Sequence, residues 1–294
     1  MLRSVNSRGH PSPPPIDIAL NRPPRHPAML SKNAFRAVTT LFHQESGIRL
    51  TEAKQALVAG RLQKLAHARG LRDVDAYVDL LLREGNTQEI VKVVDKLTTN
   101  ETYFFREPQH FEHLRRLLAE RSLTPAGGEF RVWSAASSSG EEAYSIAMVL
   151  GEHFGLRGWQ VIGTDLSTAM VDTARRGLYP LERARLTPMP LLRRWCLKGQ
   201  GDNLGKLMVA PALRQQVRFE CANLTRALPE IGQFDLIFLR NVLIYFDGPG
   251  KADIVRRVLT RLKPDGRLFT GHAESIVNLD LPVVAMAPAV YRKK

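Results

Sequence analysis

From Ser31 to about Thr99, apolar residues recur at intervals of three and four, the spacing that lines one face of a helix. Phe35, Val38, Leu41 and Phe42 mark the first such face, which stops at Gly47. Thr51 is expected to cap a second helix whose stripe holds Leu57, Val58, Leu62 and Leu65 and ends before Gly70. Asp73 is placed to cap a third, through Tyr77, Leu80 and Leu81 to Gly85, and a fourth runs from Thr87 to Leu97. Four short helices joined by tight turns predict an all-α domain over residues 31–99. A fifth helix is expected in "EPQHFEHLRRLLAER", with Pro108 in its first turn, where the missing N–H leaves no bond unmade. "SLTPAGGE" follows as a linker, so residues 100–129 form a connecting segment, a helix and that linker.

From Phe130 the period changes. The runs "FRVWSAA", "WQVIGTDL", "VRFECANL", "FDLIFLR" and "GRLFTGH" alternate with helical segments at 140–154, 168–177 and 249–262. Continuous apolar strands separated by helices predict a parallel sheet covered on both faces, an α/β Rossmann-like domain over 130–294. Residues 283–293 read as a closing antiparallel hairpin, an ending that suits a methyltransferase better than a dehydrogenase. Residues 184–216 interrupt the alternation. Gly199, Gly201 and Gly205 flank the short strand candidates "RWCLKG" and "GKLMVA", which predict an inserted β-hairpin subdomain.

Composition adds limits. The 294 residues are 44% hydrophobic and 24% charged, with no run of the roughly 20 apolar residues that spans a bilayer and no apolar core of a secretory signal in the first thirty. The proline-laden residues 1–30 are expected to be a disordered arm. Cys196 and Cys221 lie in apolar company and are expected as buried free thiols, which fits the cytoplasm; two cysteines provide no paired metal spacing, and no metal is expected. The net charge is +13, of which residues 1–30 supply +3 through Arg3, Arg8, Arg22 and Arg25 against Asp17. The remaining excess calls for an acidic partner, nucleic acid or protein.

In an open α/β sheet, ligands bind beyond the carboxyl ends of the strands. Here those ends read "AASSSGEE", "GTDLS", "CANL" and "FLRNVLIYF". The first has small residues for close approach but one glycine, Gly140, where a pyrophosphate cradle needs three. Glu141 and Glu142 stand where a phosphate would bind, so they favour a cationic, phosphate-free cofactor such as S-adenosylmethionine. Either glutamate also suits the positive end of a helix. Asp165 is positioned to accept from ribose hydroxyls, since Ser167 already offers an N-cap. In "NETYFFRE", Phe104 and Phe105 are core candidates, while Asn100, Thr102 and Arg106 are polar without a packing reason. Asn241 and Tyr245 are polar groups at the end of a buried strand and need partners.

Taken together, "LTTNETYFFREPQHF", "VWSAASSSGEEAYSIAM", "GTDLS", "CANL", "FDLIFLRNVLIYFD" and "GHAES" closely resemble the chemotaxis receptor methyltransferases, the CheR family. The resemblance runs in order from about residue 35 to 292; residues 1–30 lie outside it. It implies an all-α domain joined to an S-adenosylmethionine-binding α/β domain with a small β-subdomain. It further implies that Asn100, Thr102, Arg106, Glu141, Asp165, Asn223, Leu224, Asn241 and Val242 line the cofactor site, with Tyr245 and Arg106 nearest the transferred methyl. The implied reaction is methylation of glutamate γ-carboxylates on receptor signalling helices. A glutamate is ionised at neutral pH, so no strong base is required, and the sulfonium makes the methyl electrophilic. Alignment and desolvation are left to the protein. Arg106 suits either the incoming carboxylate or the cofactor's own; the sequence does not choose.

The basic excess then suits acidic receptor helices, with Lys54, Arg61, Lys64, Arg69 and Arg72 as the contact candidates. The resemblance implies, for some members of the family, that the inserted subdomain docks a receptor tail peptide by strand addition. Nucleic acid is not expected as partner, because the basic helix lacks interleaved aromatics, and neither is membrane insertion. A nucleic-acid methyltransferase, a non-catalytic S-adenosylmethionine sensor and, more distantly, a nicotinamide oxidoreductase are the competing readings.

Overall fold

The computed structural model describes residues 30–120 and 128–294. The amphipathic pattern of the first third forms α1 (Lys32–Ser46), α2 (Gln55–Ala68), α3 (Val74–Glu84) and α4 (Thr87–Leu97). Phe35, Val38, Phe42, Leu62, Tyr77 and Val93 fill the space between them. Ser31 caps α1 by accepting from the Ala34 amide, and Gly47 ends it in a left-handed turn. Asp73 and Asn86 cap α3 and α4 through their side chains. Thr51 does not cap α2. A 3₁₀ turn, Glu52–Lys54, intervenes, and the Thr51 side chain makes no capping bond. The expected arm, residues 1–30, lies outside the described residues except for Leu30, which is buried with Phe35 in this core. Those two side chains flank the Ser31 cap in the positions of a hydrophobic staple, so packing begins one residue earlier than expected.

The α/β part opens with α5 (Pro108–Ala119), followed by β1 (Phe130–Ala135), α6 (Glu141–Phe154), β2 (Trp159–Asp165) and α7 (Thr168–Arg176). It closes with β6 (Val217–Cys221), β7 (Phe234–Leu239), α10 (Gly248–Leu259), β8 (Leu262–Thr270), β9 (Val283–Ala287) and β10 (Val290–Lys293). The sheet order is β6-β2-β1-β7-β8-β10-β9, with the first five strands parallel and β10 antiparallel to both neighbours. Chain order reverses at β1, so the crevice for a ligand opens above β1, between β2 and β7. One sheet face buries Phe104, Phe105 and Phe111 with Ala147 and Phe238; the other buries Trp133, Ile237 and Val255. The two phenylalanines after the helical domain therefore belong to the core of the sheet.

The insert is a three-stranded sheet, larger than the expected hairpin. It comprises β3 (Leu178–Pro180), β4 (Cys196–Lys198) and β5 (Lys206–Val209) in the order β3-β5-β4, with the helix α8 (Met189–Trp195) leading into β4 and α9 (Pro211–Arg214) following β5 in the chain. Its first strand, "LYP", directly follows α7 and is too short to carry a visible period. A second correction concerns the thiols. Both are free, but Cys196 is half-buried and Cys221 exposed, because Cys221 ends the edge strand β6, where among its five residues only Phe219 is fully buried.

Candidate functional site

The tip of β1 runs into the loop 136–140, where Ala136, Ser138 and Gly140 all adopt positive φ. At Gly140 a side chain would meet the Ala174 Cβ at 2.8 Å, so a glycine is required there. Asp165, at the end of β2, fixes this loop. Its Oδ2 accepts from the Ser138 amide at 2.8 Å and its Oδ1 from the Ser167 amide at 2.9 Å. Burial pushes its carboxyl up to about 6, against the lowering effect of those two bonds. Each oxygen keeps a lone pair for a hydroxyl. Ser167 is the N-cap of α7, as expected.

One cavity gathers nearly all the candidates for the cofactor and the transferred methyl. Asn100, Thr102, Arg106, Asp165, Asn223, Leu224, Asn241, Val242 and Tyr245 line it together. Glu141 is the exception: Glu142 lines the cavity and Glu141 does not. The Glu141 carboxylate, 1% exposed, turns instead to the Ser139 hydroxyl at 2.7 Å and to Arg183 at 3.4 Å. Successive residues at a helix start point about 100° apart, so only one of the pair can face the ligand. Asn223 is partly committed elsewhere, since its amide donates to the Glu45 carbonyl in α1 at 2.8 Å and its oxygen accepts from Thr225. It ties the site to the helical domain.

Below the cavity lies a network that the sequence reading missed. Arg240, which ends the apolar run of β7, is 4% exposed. Its guanidinium donates to Glu142 at 2.8 Å, to the Arg106 carbonyl at 2.7 Å, and approaches Glu107 at 3.1 Å. Glu107 also accepts from the Asn241 side chain at 3.0 Å and the His272 amide at 3.2 Å. Burial alone would raise the Glu107 carboxyl, but the Asn241 bond and the Arg240 charge outweigh it and hold the group at about 2. Glu274 accepts from the amides of Asn241, Gly271 and Ile244, fixing the strand-end turn that presents Asn241 at φ 57°. An arginine closing an apolar strand was the available signal, because a buried guanidinium requires carboxylates nearby.

Glu107, His110 and His272 place three ligand atoms within 4.8 Å of one another. The two rings are stacked at 4.3 Å and 16°, so their in-plane lone pairs run side by side and do not converge on an ion. Arg240 also sits at the same Glu107 oxygen that an ion would need. Burial pushes His110 down to about 3, so it is neutral at physiological pH.

At the other end of the cavity, Tyr245 is half-buried and close to Arg106 and Arg61; burial raises its phenol, which therefore stays protonated. Arg106 donates to the Glu101 carbonyl at 2.7 Å. Of the basic candidates on and flanking α2, Lys54, Lys64 and Arg72 are exposed. Arg61 is engaged with the Leu97 and Thr98 carbonyls, and Arg69 with Glu84 at 2.7 Å. No helix among the described residues is long and apolar enough to cross a membrane.

The cavity's chemistry fits a phosphate-free cofactor: carboxylates stand at its floor and side, and the loop after β1 lacks a glycine cradle. Comparison with known proteins agrees. Residues 33–98 match the family model described as the CheR methyltransferase all-alpha domain, and residues 100–288 match the CheR methyltransferase SAM binding domain. The chain is 40% identical over 257 residues to the chemotaxis protein methyltransferase of Salmonella typhimurium, covering 85% of this chain and 86% of that one. It is 39% identical over 266 residues to the Escherichia coli chemotaxis protein methyltransferase, covering 89% and 91%. To chemotaxis protein methyltransferase 2 of Pseudomonas aeruginosa it is 40% identical over 264 residues, covering 89% and 93%. The chain belongs to the CheR methyltransferase family, with an all-α domain set before an S-adenosylmethionine-binding α/β domain.

Proposed function

We propose that this protein transfers a methyl group from S-adenosylmethionine to glutamate side chains of chemotaxis receptors, giving γ-methyl esters. The observation that carries this reading is the cavity at the strand ends, which joins the Asp165 carboxylate, a buried carboxylate floor and a protonated phenol beside an arginine. The cofactor supplies an electrophilic methyl on a sulfonium. Asp165 would hold the ribose hydroxyls and the Asn100–Thr102 stretch the edge of the base. Glu142, rather than Glu141, would face the amino acid end. Asn223, Leu224, Asn241 and Val242 would complete the walls.

The acceptor carboxylate is ionised on arrival, so the protein needs to orient and desolvate it more than to deprotonate it. Arg106 would pair with that carboxylate and the Tyr245 hydroxyl would donate to it, leaving one oxygen aimed at the methyl. Lys54 and Lys64 would attract acidic receptor helices, with Arg61 holding the cavity mouth. The reaction so read takes place in the cytoplasm. The insert offers β3 and β4 as sheet edges, and Leu197 on β4 is 52% exposed, which suits strand addition of a receptor tail. Unchanged binding after deletion of that tail would remove the docking proposal.

The deciding assay incubates the protein with methyl-tritiated S-adenosylmethionine and receptor-bearing membranes. Base-labile label on the receptor is the expected result, as a carboxyl ester requires. Label on added RNA would establish the nucleic-acid alternative instead. Cofactor binding with no turnover on any receptor would establish the sensor.

A further inference from the structure

We infer that Arg183, on the inserted subdomain, is a positioning residue that holds the segment 100–106 in its cofactor-binding shape, with Glu141 as its anchor. The inference rests on the reading of the cavity as the S-adenosylmethionine site. Residues 98–107 link α4 to α5 without regular structure, and Phe105 and Glu107 sit at φ 56° and 57°. Such a segment keeps one shape only if its backbone groups are bonded from outside. Its ends are bonded from the main sheet and its helices. The Asn100 carbonyl accepts from Ser138 at 3.3 Å, the Phe105 amide donates to Ser145 at 3.0 Å, and the Arg106 carbonyl accepts from Arg240.

The middle is gripped from the insert. The Arg183 guanidinium donates to the Thr102 carbonyl, and the Arg183 carbonyl accepts from the Phe104 amide at 3.0 Å. Arg185 lies 5.1 Å over the Tyr103 ring, and Tyr179 meets the Phe104 ring edge-on at 5.0 Å. Thus three consecutive residues of the segment, two of which line the cavity through Thr102 and Tyr103, are touched by the turn 179–185. Arg183 is 38% exposed in its side chain, so packing alone does not fix it. The buried carboxylate of Glu141, itself set by the Ser139 hydroxyl, supplies the missing constraint: it draws Nη1 of Arg183, the same nitrogen that donates to the Thr102 carbonyl. This also accounts for a glutamate buried at the start of α6 but turned away from the cavity.

The test uses the full chain and compares wild type with Arg183→Ala, Arg183→Lys and Glu141→Gln. Calorimetric titration with S-adenosylmethionine gives Kd, and receptor methylation gives KM for the cofactor and kcat separately. Loss of a charge-assisted bond predicts an about tenfold weaker Kd for Arg183→Ala, with KM rising in parallel and kcat within about twofold. Arg183→Lys should recover part of the affinity, since an ammonium keeps the charge and the donors but carries them on a flexible stem without the guanidinium's fixed plane. Glu141→Gln should weaken binding less than Arg183→Ala, and the two changes combined should cost little more than the arginine change alone. Variants that melt earlier yet bind the cofactor as wild type does would overturn the inference, as would a fall in kcat at unchanged KM. Should Arg183→Ala fail to fold, the other two variants decide by the same measurements. A wild-type chain that binds no S-adenosylmethionine would overturn the reading of the cavity and this inference with it. A wild type that binds and methylates beside an unaffected Arg183→Ala would overturn the inference alone.

Discussion

Asp165 is the cavity residue whose ionisation would link folding to the proposed binding of the cofactor ribose. Its folded carboxyl sits at about 6, above the ordinary 3.8, so the folded chain holds a proton that the unfolded chain has lost between those values. Asp165 by itself therefore makes stability fall as the pH rises from about 4 to about 6. Binding of ribose hydroxyls in the proposed role would have the opposite sign, because they would donate to the ionised form. Below pH 6 the dissociation constant for S-adenosylmethionine is expected to rise, approaching tenfold per pH unit. In Asp165→Asn the affinity should be lower but flat across that window. Calorimetry between pH 5 and pH 7.5 checks both, and an unchanged pH slope in the variant would remove Asp165 from the ribose role. Its place at the cavity was legible in the sequence because an acid ending a strand of an open α/β sheet lies where ligands bind. Arg240 and Glu107 were harder to read: they are 133 positions apart, and only the packing of α5 against the end of β7 makes them partners.

At the scale of elements, the loop after β1 makes its turn with fewer glycines than its geometry would favour. Ala136 and Ser138 occupy left-handed backbone at φ 63° and 49°, a conformation that costs a non-glycine residue roughly 1 kcal/mol. Ala136→Gly is therefore expected to stabilise the ligand-free protein by about 0.5–1 kcal/mol, less the entropy of a freer unfolded chain. Thermal melts would show a rise of about 1–3 °C if the strain relief dominates. A lower melting temperature would mean that the alanine methyl packs usefully in the cavity wall. The same scale shows what periodicity can carry. Helices α1, α3 and α4 and the parallel strands announce themselves because each has enough residues to repeat a pattern. Strand β3 has three, and β8 begins four residues before "GRLFTGH", across a register shift where "LKPD" carries no alternation. These were invisible for want of length, and Thr51 was misread because an intervening 3₁₀ turn looks like a helix start in sequence.

For the whole molecule, the question is how a cavity shared between two domains meets a large receptor. Asn223 and Arg226 bond to the end of α1, and Thr168 donates to Asp95 on α4 at 2.9 Å, so the basic α2 is held in a defined place beside the cavity mouth. Arg61 is part of that arrangement, being spent on the carbonyls at the end of α4, and it should act locally. Lys54, Lys64 and Arg72 are exposed and placed to act at a distance. Their field is screened over about 10 Å at 0.1 M salt, so receptor methylation measured as kcat/KM should fall as salt rises from low to physiological levels. The affinity for S-adenosylmethionine, measured in the same buffers, should change far less, because the cofactor is small and its site enclosed. Lys54→Glu with Lys64→Glu should lower kcat/KM for receptor severalfold at low salt and flatten its salt dependence, with kcat and cofactor affinity near wild type. Arg61→Ala should differ in kind. It frees the Leu97 and Thr98 carbonyls at the cavity rim, so its loss should persist at high salt. A wild-type rate indifferent to ionic strength would show that α2 serves the receptor through contacts alone, with no part in drawing it in.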